Sequence, residues 1–161
     1  MSSSSSASLL VTKFVLELFT GWNFKVVIAY VGCILLTQVS GGIYYGTLFG
    51  KLFMKLAHPN VKTDEDKKRL QQEFNPSLAY GSAFLGSAVA YWFLKTFLQV
   101  LQVTSSSSDG AFVGVGIVFI DTVFGIMHSF FEDRPLQLYL LHKGYHVWCF
   151  GITGAIFGTV L

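Results

Sequence analysis

A chain of 161 residues that is 52% hydrophobic and only 12% charged lies far from the soluble average of about a quarter charged. A net charge of +2, with no run of four basic residues, argues against nucleic acid as a partner. Cys33 and Cys149 sit inside apolar runs, show no Cys-x-x-Cys or zinc spacing, and read as small buried hydrophobes rather than a disulfide framework.

The chain opens on Ser2 to Ser6 without the basic stretch that leads into a signal-peptide core, and it lacks the arginines of a cleaved organellar presequence. With serine rather than glycine at position 2, N-myristoylation is not expected. Leu9, Leu10, Phe14, Leu16 and Phe19 then interleave with Thr12, Lys13, Glu17 and Thr20. That stretch is too short for a crossing, which takes about 20 residues. Residues 8–20 are therefore expected to form a short amphipathic helix at the membrane interface. Residues 1–21 form a serine-rich N-terminal unit closed by Gly21, and Trp22 is an interfacial anchor. Residues 22–161 form the membrane domain.

Val26 to Tyr45 begins the first span, about 26–50, with its helix expected to run on to about Ala57 before His58-Pro59. At 3.6 residues per turn, Gly42, Gly46 and Gly50 stack on one side with Phe49 and Phe53 beside them, and Tyr44, Lys51 and Lys55 fall opposite. Such glycines would cost roughly 1 kcal/mol each in a soluble helix, but in a bilayer they let a neighbouring helix approach closely. Residues 58–76 are the one long polar segment, with Thr63-x-x-Asp66 as a capping box for a short helix ending near Phe74. Pro76 then opens the second span, about 77–103, in which Ala79, Ala83 and Ser87, and Ser82, Gly86 and Ala90, form two ridges of small side chains. Lys95, near its far end, is expected to snorkel outward. A serine-rich loop, Thr104 to Gly110, leads to the third span, about 111–131, opening with Gly110-x-x-x-Gly114. After the turn Glu132-Asp133-Arg134-Pro135 the fourth span, about 136–160, carries Gly154-x-x-x-Gly158. Small-residue spacing in all four predicts close packing, in the bundle or against other subunits.

Eight basic residues (Lys51, Lys55, Lys62, Lys67, Lys68, Arg69, Arg134, Lys143) fall on the side of the 58–76 loop, against three (Lys13, Lys25, Lys95) on the other. The positive-inside rule places that loop on the cytoplasmic or matrix-equivalent side, with both termini opposite.

Asp121, near the middle of the third span, costs on the order of 2.5–3.5 kcal/mol there unless it faces protein and a partner. It forms a stripe with His128 and Glu132, and Tyr139, His142 and His146 form another on the fourth helix. Folding the two helices antiparallel about their tight turn faces Asp121 with His146 and His128 with His142, near Tyr139 and Glu132. This intramembrane cluster can be a hydrogen-bonded network that fixes the hairpin, a path for protons or a small solute, or a metal site. No catalytic, P-loop, zinc-hydrolase or dinucleotide motif is present.

Two segments, Gly42-Ile43-Tyr44-Tyr45-Gly46-Thr47-Leu48-Phe49-Gly50-Lys51-Leu52-Phe53-Met54 and Phe131-Glu132-Asp133-Arg134-Pro135-Leu136 through Gly144-Tyr145-His146, occur in an order and spacing that resemble the small multi-helix membrane family catalogued as domain of unknown function 1761. The resemblance covers about Trp22 to the C-terminus. It implies a four-helix integral membrane protein without an established activity, with family motif residues at Tyr45, Gly46, Phe49, Gly50, Arg134, Pro135, Gly144, Tyr145 and His146.

The expectation is an all-α integral membrane four-helix bundle with a short N-terminal interfacial amphipathic helix. Its helix-packing glycines are Gly42, Gly46, Gly50, Gly86, Gly114, Gly154 and Gly158. No enzymatic activity, cofactor or metal is expected. The favoured role is an accessory subunit of a larger membrane complex, in contact with the lipid bilayer and other membrane subunits, in an organellar inner membrane or another internal membrane. The alternative is a small transporter or proton-conducting protein using Asp121, His128, His142 and His146.

Overall fold

The computed structural model describes residues 3–103, 105–131 and 135–161, all helix and connecting turns. Glu132 and Arg134, and the side chain of His128, lie outside the described residues. In chain order the helices are α1 (Ser3–Phe19), α2 (Phe24–Gly42), a π-helix (Ile43–Leu48), α3 (Gly50–Ala57), α4 (Asp64–Glu73), α5 (Pro76–Val100), α6 (Ser107–Phe131) and α7 (Leu136–Val160). Among the described residues three helical stretches, against the four expected, are long and apolar enough to cross a membrane: Phe24–Leu48, Pro76–Val100 and Ser107–Phe131. α7 is as long as α5 and α6, at 25 residues, but its first half carries His142, Lys143 and His146 and lowers its hydropathy.

Large apolar side chains face outward on these helices, among them Phe119, Phe124, Leu85 and Leu35. A water-soluble domain rarely exposes apolar surface on this scale, whereas lipid is a good solvent for it. The core is small: Cys33 and Ile34 of α2, Tyr91, Leu94 and Leu98 of α5, and Phe157 of α7.

Local signals in the sequence place the helix ends. Asn23 caps α2 by accepting from the Val26 amide at 3.0 Å. The expected capping box forms: Thr63 Oγ1 accepts from the Asp66 amide at 3.1 Å, and the Asp66 carboxylate accepts from the Thr63 amide at 2.9 Å. The Thr63 amide and hydroxyl, with the Lys62 amide, hold that carboxyl below the usual range. Asn75 caps α5, with Pro76 in its first turn. Gly21 turns the chain at φ +71, a conformation that favours glycine. α6 begins at Ser107, so part of the expected serine loop is helix.

α1 is longer than expected and is docked on α5. Phe14 stacks on Phe93 at 6.3 Å, Phe19 meets Trp92 edge-on at 6.1 Å, and the Trp92 Nε1–H donates to the Leu18 carbonyl at 2.7 Å. Lys95 does not snorkel outward. It is fully buried, donating to the carbonyls of Glu17 at 3.1 Å and Thr20 at 2.5 Å, with its ammonium 4.7 Å from the Trp22 ring centroid. A helix leaves its last carbonyls unsatisfied and negative, and these attract the cation inward. Hydrogen bonds to charged groups are worth about 1.5–3 kcal/mol. Lys95→Met is therefore expected to undock α1: limited proteolysis should cleave around Gly21 severalfold faster, with cleavage in α4 unchanged. Unaltered cleavage near Gly21 would show that the aromatic contacts alone hold α1.

α6 and α7 share the most extensive helix contact in the fold. A Cβ added at Gly110 would overlap the Gly154 carbonyl, one at Gly114 the Phe150 carbonyl, and one at Gly158 the Ser106 carbonyl. The hairpin thus closes backbone to backbone, the glycine-mediated approach that membrane helices use. The other glycine-bearing faces differ. A Cβ at Gly42, Gly46 or Gly86 would meet nothing within 4 Å.

Candidate functional site

The first of the long apolar stretches is not one continuous α-helix. Over Ile43–Leu48 the backbone closes i→i+5 turns, among them the Phe49 amide on the Tyr44 carbonyl at 2.9 Å. Each such turn takes up an extra residue and rotates everything after it, and π segments recur at functional sites. The rotation overturns the two-sided reading of this stretch. Lys51 and Lys55 line the same cavity as Gly42, Gly46 and Gly50 instead of facing away from them. Gly50 is small for a local reason, because a Cβ there would stand 3.1 Å from the Tyr45 carbonyl.

Tyrosines tie the π segment and its neighbours to the other helices. Tyr44 OH donates to the Leu141 carbonyl at 3.1 Å, and Tyr45 OH lies 2.7 Å from His142 Nδ1. Tyr145 OH donates to the Thr37 carbonyl at 2.6 Å, and Tyr30 OH to the Ala88 carbonyl at 2.6 Å. Tyr91 pairs with the Thr37 hydroxyl in the core, and Tyr139 OH donates to the Thr122 carbonyl at 2.8 Å. Interhelical hydrogen bonds in a membrane are worth about 0.6 kcal/mol on average. Their collective effect is to fix register. The rings of Tyr44, Tyr45 and Tyr145 also pack mutually at 5.1–5.3 Å, with Phe53 and His142 beside Tyr45. The two aromatic-glycine segments around Tyr45 and Tyr145 thus meet in space.

Asp121 does not pair with His146. Its carboxylate pairs with Lys143, one helical turn earlier on α7. Ammonium wins because its flexible stem reaches a carboxylate directly and brings a full charge, whereas the ring of His146 lies against Tyr145, centroids 6.1 Å apart. The expected His128–His142 pair lies outside the described residues; His142 Nδ1 meets the Tyr45 hydroxyl. Tyr139, expected near the mouth of the cluster, reaches the α6 backbone at Thr122. Among the described residues, no group of three or more His, Cys, Asp or Glu could hold a metal ion.

Between the π segment, α5 and the α6–α7 hairpin lies a cavity of about 1590 Å³. Gly42, Gly46, Ala83, Gly86 and Ala90 form two of its walls, Tyr91, Cys149 and Phe150 line it deep in the bundle, and Asp121 and His146 contribute polar groups. Lys51, Lys55, His58 and Lys62 line it near the polar segment. The small side chains singled out as helix-docking ridges therefore leave space in this chain instead of seating one of its own helices. Sequence reading missed the interhelical tyrosines; their placement inside the spans, rather than in interfacial belts, was the available signal.

No curated protein and no solved structure matches the chain. A family model described as "Protein of unknown function (DUF1761)" matches residues 28–158, and the chain belongs to that family.

Proposed function

We propose that this chain is a non-catalytic integral membrane protein that crosses the bilayer four times, and that it is a small transporter whose solute occupies the central cavity. The cavity's reach to Asp121 and His146 carries this reading. Ionisable groups that face an internal cavity mark solute and proton paths. As a fourth crossing α7 would carry Lys143 across, and the pairing with Asp121 offsets part of the cost of both charges. The lysines near the polar segment support placing the 58–76 loop on the cytoplasmic or matrix-equivalent side of an internal membrane.

Single cysteines at Gly46 or Gly86, with Cys33 and Cys149 replaced by alanine, are expected to react with a membrane-impermeant thiol reagent from at least one side of proteoliposomes. Proteoliposomes loaded with a pH-sensitive dye are expected to show proton flux that Asp121→Asn lowers at least tenfold. Absence of labelling from both sides would sink the transporter reading.

A second reading, an accessory subunit, is supported by glycines open to the outside: Gly32 and Gly81 are exposed, and a Cβ at either meets nothing within 4 Å. It requires a partner membrane protein that co-purifies in mild detergent.

A further inference from the structure

We propose that the cavity binds an anionic phospholipid from the surrounding membrane, its headgroup phosphate at Lys51, Lys55 and Lys62 and an acyl chain along the glycine and alanine walls. This rests on the cavity reading above and names the class of its occupant.

Charge complementarity selects that occupant. Lys51, Lys55 and Lys62 are exposed, line the cavity, and have no carboxylate partner among the described residues. Lys67, which also lines it, is already paired with Asp64 at 2.7 Å. Asp66 accepts from the Lys62 and Thr63 amides, and neither it nor Glu65 lines the cavity. Among the described lining residues Asp121 is the one carboxylate, and Lys143 neutralises it. The cavity therefore presents a positive mouth above an apolar interior. A small polar anion would satisfy the mouth and leave the apolar walls unfilled. A neutral lipid would fill the walls and leave three cations without an anion. An anionic phospholipid meets both demands, as basic pockets between membrane helices do for such headgroups.

The architecture serves this chemistry. Without the π segment, Lys51 and Lys55 would point away from Gly42 and Gly46, and head site and chain site would not share one cavity. Absent side chains at Gly42, Gly46 and Gly86 leave the chain its room.

The test is native mass spectrometry of the full chain in detergent, titrated with phosphatidylglycerol and with phosphatidylcholine of identical acyl chains. Each juxtamembrane lysine contributes about a fivefold factor in affinity for an anionic surface. Phosphatidylglycerol is expected to bind at least tenfold tighter than phosphatidylcholine. The triple variant Lys51→Gln/Lys55→Gln/Lys62→Gln is expected to abolish that preference, and Gly46→Leu to weaken binding of both lipids at least fivefold. Glycerol 3-phosphate, which has the head without the chain, is expected not to compete at a hundredfold excess. Equal binding of the two lipids, or a preference that survives the triple substitution, overturns the proposal; so does efficient competition by glycerol 3-phosphate. If any of these results comes with labelling of a cysteine at Gly46 in detergent without added phospholipid, the lipid assignment alone fails. Lack of labelling under those lipid-free conditions removes the cavity reading as well.

Discussion

Gly154→Leu is expected to force α6 and α7 apart and to be the most damaging single substitution in the chain. At this position even a Cβ would overlap the Gly110 carbonyl, and backbone atoms cannot rotate out of the way as a side chain can. Overpacking a core that can adjust costs about 1–3 kcal/mol, and here the neighbouring helix must move as a body. Gly110→Leu and Gly114→Leu are expected to behave alike, because the carbonyls of Gly154 and Phe150 stand in their way. Gly86→Ala and Gly116→Ala make the contrast: with nothing within 4 Å of the added carbon, they are expected to be neutral or to gain up to about 1 kcal/mol of helix propensity. Thermal melting in detergent, read by size exclusion, checks the series. Similar losses for Gly86→Ala and Gly154→Ala would mean that the hairpin's close approach is not what the glycines serve.

Breaking the Asp121–Lys143 pair is expected to cost about as much as leaving one charge unpaired in a bilayer, about 2.5–3.5 kcal/mol on insertion scales. Lys143→Met leaves the carboxylate alone, and Asp121→Asn leaves the ammonium alone. The double variant removes both charges and should recover most of the loss, since replacing an ion pair with neutral groups is far less costly than removing one partner. The same cycle run on Asp121 and His146 separates the structure from the simpler hairpin drawn from sequence. Coupling should be large for Lys143 and close to zero for His146. The opposite ranking would return the acid to the histidine.

Much of the helix architecture follows from the sequence because local rules govern it. Asn75-Pro76 starts α5, Thr63 and Asp66 box the start of α4, and Gly21 closes α1, each acting over a few residues. The antiparallel α6–α7 pair follows too, since a short turn leaves two long helices little choice but to lie side by side. The pairings across it were less legible. A helical net places Asp121 opposite a zone of α7, and the choice between Lys143 and His146 within that zone depends on side-chain reach and on which ring Tyr145 holds. Lys95 misled for a related reason: its cation found the end of a helix far away in the chain, and no pattern in the sequence of α5 records where α1 will dock.

By itself, the sequence determined an all-helical chain with long apolar stretches, three of its four expected spans being apolar and long enough for a membrane among the described residues, and the family that its two aromatic-glycine segments resemble. Only the tertiary structure decided which glycines close a helix pair and which open a cavity, because a small side chain reads the same whether a backbone or empty space stands opposite it. It also decided that lysines and glycines line one cavity. Periodicity assumes a constant turn, and the π segment at Ile43–Leu48 changes that turn midway along the helix.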